Sequence, residues 1–236
     1  MSSTAETTIR GVLFDMDGTL IESTPAVLAT WEYFAQEYNL DLHEVLKTSH
    51  GVRTIDNLRK WCGLTDQQGL EEATDFFEGM IVTEAKRLQS EGKTGLVVLP
   101  GVNEFLSVLQ QSSNPLYAVV TSATNTYASA ALPTAGIPIP PTFVTANDVT
   151  KGKPHPEPYL KGAEMLGLDP TDCLVVEDAP SGVKAGVAAG CKVLGLCTSH
   201  TRTQMEHAGA NWVVQDLSKV KATLQDGIVH LDIDQS

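Results

Sequence analysis

A short apolar run, Gly11-Val12-Leu13-Phe14, breaks off at two aspartates two positions apart, Asp15 and Asp17, and a glycine follows at once. A run this short and flat has no helical face. Bounded by turn residues, it reads as a buried strand of a parallel sheet. Ligands of open α/β sheets bind beyond the carboxyl ends of such strands, so the two carboxylates are expected at the edge where chemistry is done. One carboxylate there can attack an electrophile, its neighbour can move protons, and a backbone carbonyl can help hold a hard cation. Asp17-Gly18 alone also describes a plain β-turn, and it is the strand before it and Thr19-Leu20 after it that favour a site.

The rest of the chain divides by periodicity. From about 22 to 96 the pattern is helical: Val27, Leu28, Trp31, Phe34 and Tyr38 share one face, as do Leu58, Trp61 and Cys62. Pro100-Gly101 marks a return. Beyond it, apolar runs over 116–122, 142–146, 173–178, 192–196 and 212–214 alternate with helical stretches, which implies right-handed crossovers and helices on both faces of a parallel sheet. The prolines at 138, 140 and 141 predict an extended connector, and 228–233 alternates weakly, as a terminal edge strand would. The expected fold is α/β, a Rossmann-like doubly wound sheet with an inserted helical cap: core 1–21 and 97–236, cap 22–96.

Composition narrows the partners. A net charge of −13 over 236 residues argues against nucleic acid and anionic membrane, which need basic surface. Met1 to Arg10 lacks the basic start and apolar centre of a signal peptide, and no apolar stretch approaches the roughly 18 residues of a membrane span. Cys62, Cys173, Cys191 and Cys197 show no Cys-x-x-Cys spacing and read as reduced thiols. A cytoplasmic enzyme, monomeric or a small homo-oligomer, is the expectation.

Three further segments extend the first. Leu116-Tyr117-Ala118-Val119-Val120 ends in Thr121-Ser122; Lys151-Gly152-Lys153-Pro154-His155-Pro156 opens a helix; Cys173-Leu174-Val175-Val176 delivers Glu177-Asp178 into a turn with Gly182. Taken in order, these four segments resemble motifs I to IV of the haloacid dehalogenase superfamily, most of whose members are magnesium-dependent phosphatases. Ser49-His50-Gly51-Val52-Arg53-Thr54, Thr145-Ala146-Asn147-Asp148-Val149 and Glu177-Asp178-Ala179-Pro180 are most similar to the branch holding 2-deoxyglucose-6-phosphate and glycerol-3-phosphate phosphatases. The ending Gly209-Ala210-Asn211-Trp212 with Asp226-Gly227 leans slightly to the sugar side.

The resemblance implies roles. Asp15 is the nucleophile that becomes an aspartyl-phosphate, and Asp17 the general acid and base, which requires a raised pKa. Mg2+ is held by Asp15, the Asp17 carbonyl and Asp178, with Glu177 either a ligand or an acceptor behind it. Lys153 neutralises charge, and Ser122, or Thr121, donates to the phosphoryl oxygens. In the cap, His50 and Arg53 are candidates for substrate contact, Arg53 equally as a helix-capping surface residue. The expected substrate is a small phosphorylated sugar or polyol. A sugar-phosphate mutase is the alternative, weakened because Val27 aligns where mutase relatives carry a cap histidine. A silent binding relative is disfavoured by the complete residue set.

Overall fold

The structure, a computed structural model, describes residues 4–236. It begins with β1 (Thr4–Ile9), β2 (Gly11–Phe14) and the two-residue β3 (Ile21–Glu22). Four helices follow, α1 (Thr24–Tyr38), α2 (Leu42–Ser49), α3 (Thr54–Trp61) and α4 (Gln67–Ser90). β4 (Val97–Val98) then pairs antiparallel with β3, so the helical cap leaves and rejoins the core through one short ribbon. Just beyond, Gly101 has φ +79°, and a Cβ on it would lie 2.2 Å from the backbone of Leu217. Only glycine fits that return.

Strand and helix alternate thereafter. The order is α5 (Val102–Leu109), β5 (Tyr117–Val120), α6 (Asn125–Ala135), β6 (Phe143–Val144), α7 (Glu157–Leu166) and β7 (Cys173–Glu177). Then come α8 (Pro180–Ala188), β8 (Lys192–Leu196), α9 (Arg202–Ala208) and β9 (Trp212–Val214), and the chain closes on β10 (Val220–Gln225) and β11 (Ile228–Asp234).

Six strands form one sheet in the order β6-β5-β2-β7-β8-β9, with every pairing parallel. Leu13 sits between Ala118 and Val175 in register, which makes β2 a central strand. The chain builds outward from β2 through β5 to β6, then crosses back to β7. That reversal beside β2 is the topological switch point, where a crevice opens at the carboxyl ends. Both faces are buried: Val12 and Phe14 pack with Phe105, Tyr117 and Leu174, while Leu13 packs with Val120, Tyr159 and Val175.

The expectation of helices on both faces holds with one addition. α7, α8 and α9 cover one face, and α5 and α6 share the other with a three-stranded antiparallel sheet, β1-β11-β10. Here the reading of 228–233 as an edge strand is corrected, because β11 is the middle strand, flanked by β1 and β10. Its alternating Val229, Leu231 and Ile233 all point into the core. In the cap, Trp31 and Phe34 of α1 meet Phe77 of α4 edge-on, at centroid distances of 4.7 and 4.9 Å. Tyr38, expected on the same face, is exposed at the helix end and stacks on Phe34.

Candidate active site

Four strand ends converge on Asp15. Its amide donates to the Val176 carbonyl of β7 (3.0 Å), so the first carboxylate is fixed by the sheet register itself. Lys153 arrives from the loop after β6, just before a cis peptide to Pro154. Its ammonium donates to Asp15 Oδ1 (2.6 Å), Glu177 Oε1 (2.8 Å) and the Val120 carbonyl (3.0 Å), which uses all three of its protons. Glu177, the last residue of β7, also accepts from the Tyr159 hydroxyl (2.8 Å) and the Ala179 amide (3.0 Å). There is room for it because residue 182 is glycine: a Cβ there would lie 1.6 Å from Glu177 Oε1.

Charge in this cluster is unbalanced. Carboxylate oxygens of Asp15, Glu177 and Asp178 lie within 4.8 Å of one another, and all three residues are buried. Three carboxylates against one ammonium leave two negative charges in a poorly solvated space. Burial, aided by the neighbouring Glu177, pushes Asp178 up to about 7. Asp15 is also raised, by burial acting against Lys153. Burial alone would lower Lys153, but Asp15 and Glu177 together outweigh it and hold the ammonium above the ordinary lysine range. Asp178 Oδ1 accepts from the Thr19 hydroxyl (3.3 Å), whereas its buried Oδ2 has no hydrogen-bond partner. An orphaned carboxylate oxygen beside two missing positive charges fits a hard divalent cation.

Gly18 allows Asp178 to approach: with φ +80°, it would carry a Cβ 2.2 Å from Asp178 Oδ2. The turn it makes presents Asp17, half-buried, whose Oδ1 accepts from the Tyr127 hydroxyl (2.9 Å). Burial raises Asp17 despite that donor, the direction a general acid needs. At the end of β5 the two hydroxyls differ. Thr121 is buried and accepts from the Ala123 amide (3.1 Å), while Ser122 donates across to the Gly51 carbonyl of the cap (2.9 Å).

Cap and core enclose a cavity of about 80 Å³ above Asp15 and Asp17. Val27, Trp31, Phe77 and Ile81 give it an apolar wall, and Asn57, Glu78 and Tyr127 line it with polar groups. His50 lines it too, its ring held below the usual histidine range by burial. Arg53 lies outside the lining: its Nε donates to Asp56 (2.7 Å) and its Nη1 to the Val149 carbonyl (3.4 Å) at the start of the Lys153 loop. Asn57, Glu78, Tyr127 and Tyr159 escape a reading of the sequence. For Glu78 and Asn57 one signal exists, a polar residue within an otherwise apolar helical face.

Residues 9–190 match the family described as haloacid dehalogenase-like hydrolase. The chain is 41% identical to hexitol phosphatase A of Escherichia coli over 79% of its own length and 82% of that protein's. It is 36% identical to glycerol-1-phosphate phosphohydrolase 2 of Saccharomyces cerevisiae, covering 90% of this chain and 84% of the relative. Identity to 2-deoxyglucose-6-phosphate phosphatase 1 of the same yeast is 32%, covering 92% of each. With a family match across most of its length, laid over a parallel sheet whose strand ends carry the four motifs, this chain belongs to the haloacid dehalogenase-like hydrolases.

Proposed function

We propose that the chain is a magnesium-dependent phosphatase of small sugar or polyol phosphate monoesters, working through an aspartyl-phosphate on Asp15. The observation that carries this reading is the convergence of Asp15, Lys153 and the orphaned Asp178 Oδ2 at the switch point of the sheet. Asp15, Asp178 and the Asp17 carbonyl would hold the metal, which offsets the charge of the phosphoryl group. Glu177, whose oxygens already serve three donors, positions Lys153 instead.

In the first half-reaction Asp15 attacks phosphorus, the bond to the leaving oxygen breaks, and Asp17 gives that oxygen its proton. In the second, Asp17 takes a proton from water as the water oxygen attacks phosphorus, and the Asp15 carboxylate departs. Lys153 stabilises the charge that builds on the phosphoryl oxygens in both steps. Ser122 leaves the Gly51 carbonyl to donate to the same oxygens, and Thr121 holds the turn. Names of the relatives support sugar and polyol esters, and the half-buried Val27 in the cavity wall supports water over a sugar hydroxyl as acceptor. The test is phosphate release from hexitol, glycerol and hexose phosphates with magnesium and with excess chelator. Release that requires magnesium is expected; full activity in chelator, or a phosphate-shifted isomer forming faster than free phosphate, would contradict the reading.

A further inference from the structure

Among the described residues, the charged side chains lining the cavity are Asp15, Asp17 and Glu78, and none is a lysine or arginine. Lys153 faces Asp15 and Glu177 from behind, and its three protons are taken. Burial holds His50 below the usual histidine range, which disfavours its charged form. The site therefore offers positive charge for one anionic group, the reacting phosphoryl, and none for a second. Glu78 lies elsewhere in the same cavity, on cap helix α4, and the mechanism does not use it. It is buried, accepting from the Thr54 hydroxyl (2.8 Å) and from the amide (3.2 Å) and hydroxyl of Thr124. Burial raises Glu78 above the ordinary carboxylate range, and the donors converging on both oxygens act against that shift by favouring the ionised form.

We propose that Glu78 is a charge filter: the cavity accepts phosphate esters whose leaving group is an uncharged alcohol and rejects those whose leaving group carries a carboxylate or a second phosphate. This rests on the phosphatase reading and specifies its substrate class. An anionic leaving group would lose its water, find no counter-charge and meet a fixed carboxylate. At separations of several ångströms that repulsion amounts to about 100-fold in efficiency. Hydroxyl groups, by contrast, can donate to the same carboxylate and lay their carbon skeleton on Trp31 and Phe77.

Matched esters test this with the intact enzyme and magnesium. Glycerol 3-phosphate against 3-phosphoglycerate, and ethylene glycol phosphate against 2-phosphoglycolate, differ only in an alcohol or a carboxylate at the far end. The alcohols should win in kcat/KM by about 100-fold. Glu78→Gln should narrow the ratio about tenfold; a purely structural role would lower both members equally and leave it unchanged. If that variant fails to fold, Val27→Lys, which brings a cation into the wall, should narrow the ratio as well. Equal efficiencies in the native enzyme, or a ratio unmoved in the folded variants, would overturn the filter alone. No release from any alcohol ester would overturn the phosphatase reading and the filter with it.

Discussion

Lys153 is buried, and its ammonium donates to Asp15, Glu177 and the Val120 carbonyl. Lys153→Ala should cut turnover by about 10²- to 10³-fold for every substrate, because it takes away charge used in the shared transition state. Comparison of kcat across a substrate panel checks this, and losses confined to one ester would contradict it. Asp178 gives a prediction without substrate. Its carboxyl is held near 7 in the metal-free fold against an ordinary value of 3.8, so the folded state retains a proton that the unfolded chain has lost. Stability it contributes below about 3.8 is lost as pH rises toward 7. In chelator, the melting temperature should fall between pH 5 and 8, with Asp15 acting in the same direction. Magnesium should reduce the fall, since it binds the ionised form. A melting temperature that rises over that interval would refute the charge imbalance.

At the scale of elements, helix α8 and the cap loops deliver what the strands cannot. Gly182→Ala should displace Glu177 and with it Lys153, for a methyl has no space 1.6 Å from a carboxylate oxygen. A loss of roughly 1–3 kcal/mol together with lowered turnover is expected in denaturant titration and assay. Unchanged activity would show that Glu177 does not position the lysine. Cap and core meet through Ser122 on Gly51, Ser181 on the His50 carbonyl and Arg53 on the Val149 carbonyl. Arg53→Ala should therefore raise KM for all esters by a similar factor, since the loop it clasps closes over each of them. A changed ranking of substrates would mean that Arg53 reaches the bound ester.

The strand ends that bear Asp15, Thr121 and Glu177 could be read from the sequence because a strand buried on both faces is a continuous apolar run with an abrupt polar end. Lys153 could not be derived that way; only its motif neighbours singled it out among loop lysines. The small sheet was missed for the opposite reason. β1 turns inward only Ala5, Thr7 and Ile9, too polar an alternation to stand out. Its partner hairpin did leave a signal, Asp226-Gly227, where both residues take positive φ, 52° and 76°, as a two-residue turn between strands demands. Glu78 and Tyr127 stayed hidden, because their importance lies in which remote groups they meet across the cap seam.

For the whole molecule, a net charge of −13 opposes the approach of a dianionic ester, and the positive site is too small to reverse that at a distance. Adding salt from about 10 to 150 mM should thus raise kcat/KM severalfold at fixed magnesium, with kcat nearly constant. A fall would point to a local basic surface that steers the ester despite the net charge. Among the described residues no helix is long and apolar enough to cross a membrane. The central claim is that phosphate passes through Asp15, and trapping the intermediate tests it most directly. In Asp17→Asn, which lacks the base for release by water, brief incubation with an aryl phosphate, whose leaving group departs without a proton from Asp17, and acid quench should leave a phosphoryl group on the peptide containing Asp15, detected by mass spectrometry and absent when Asp15 is also replaced by asparagine. A phosphoryl group on another residue, or steady phosphate release by Asp15→Asn, would contradict the account.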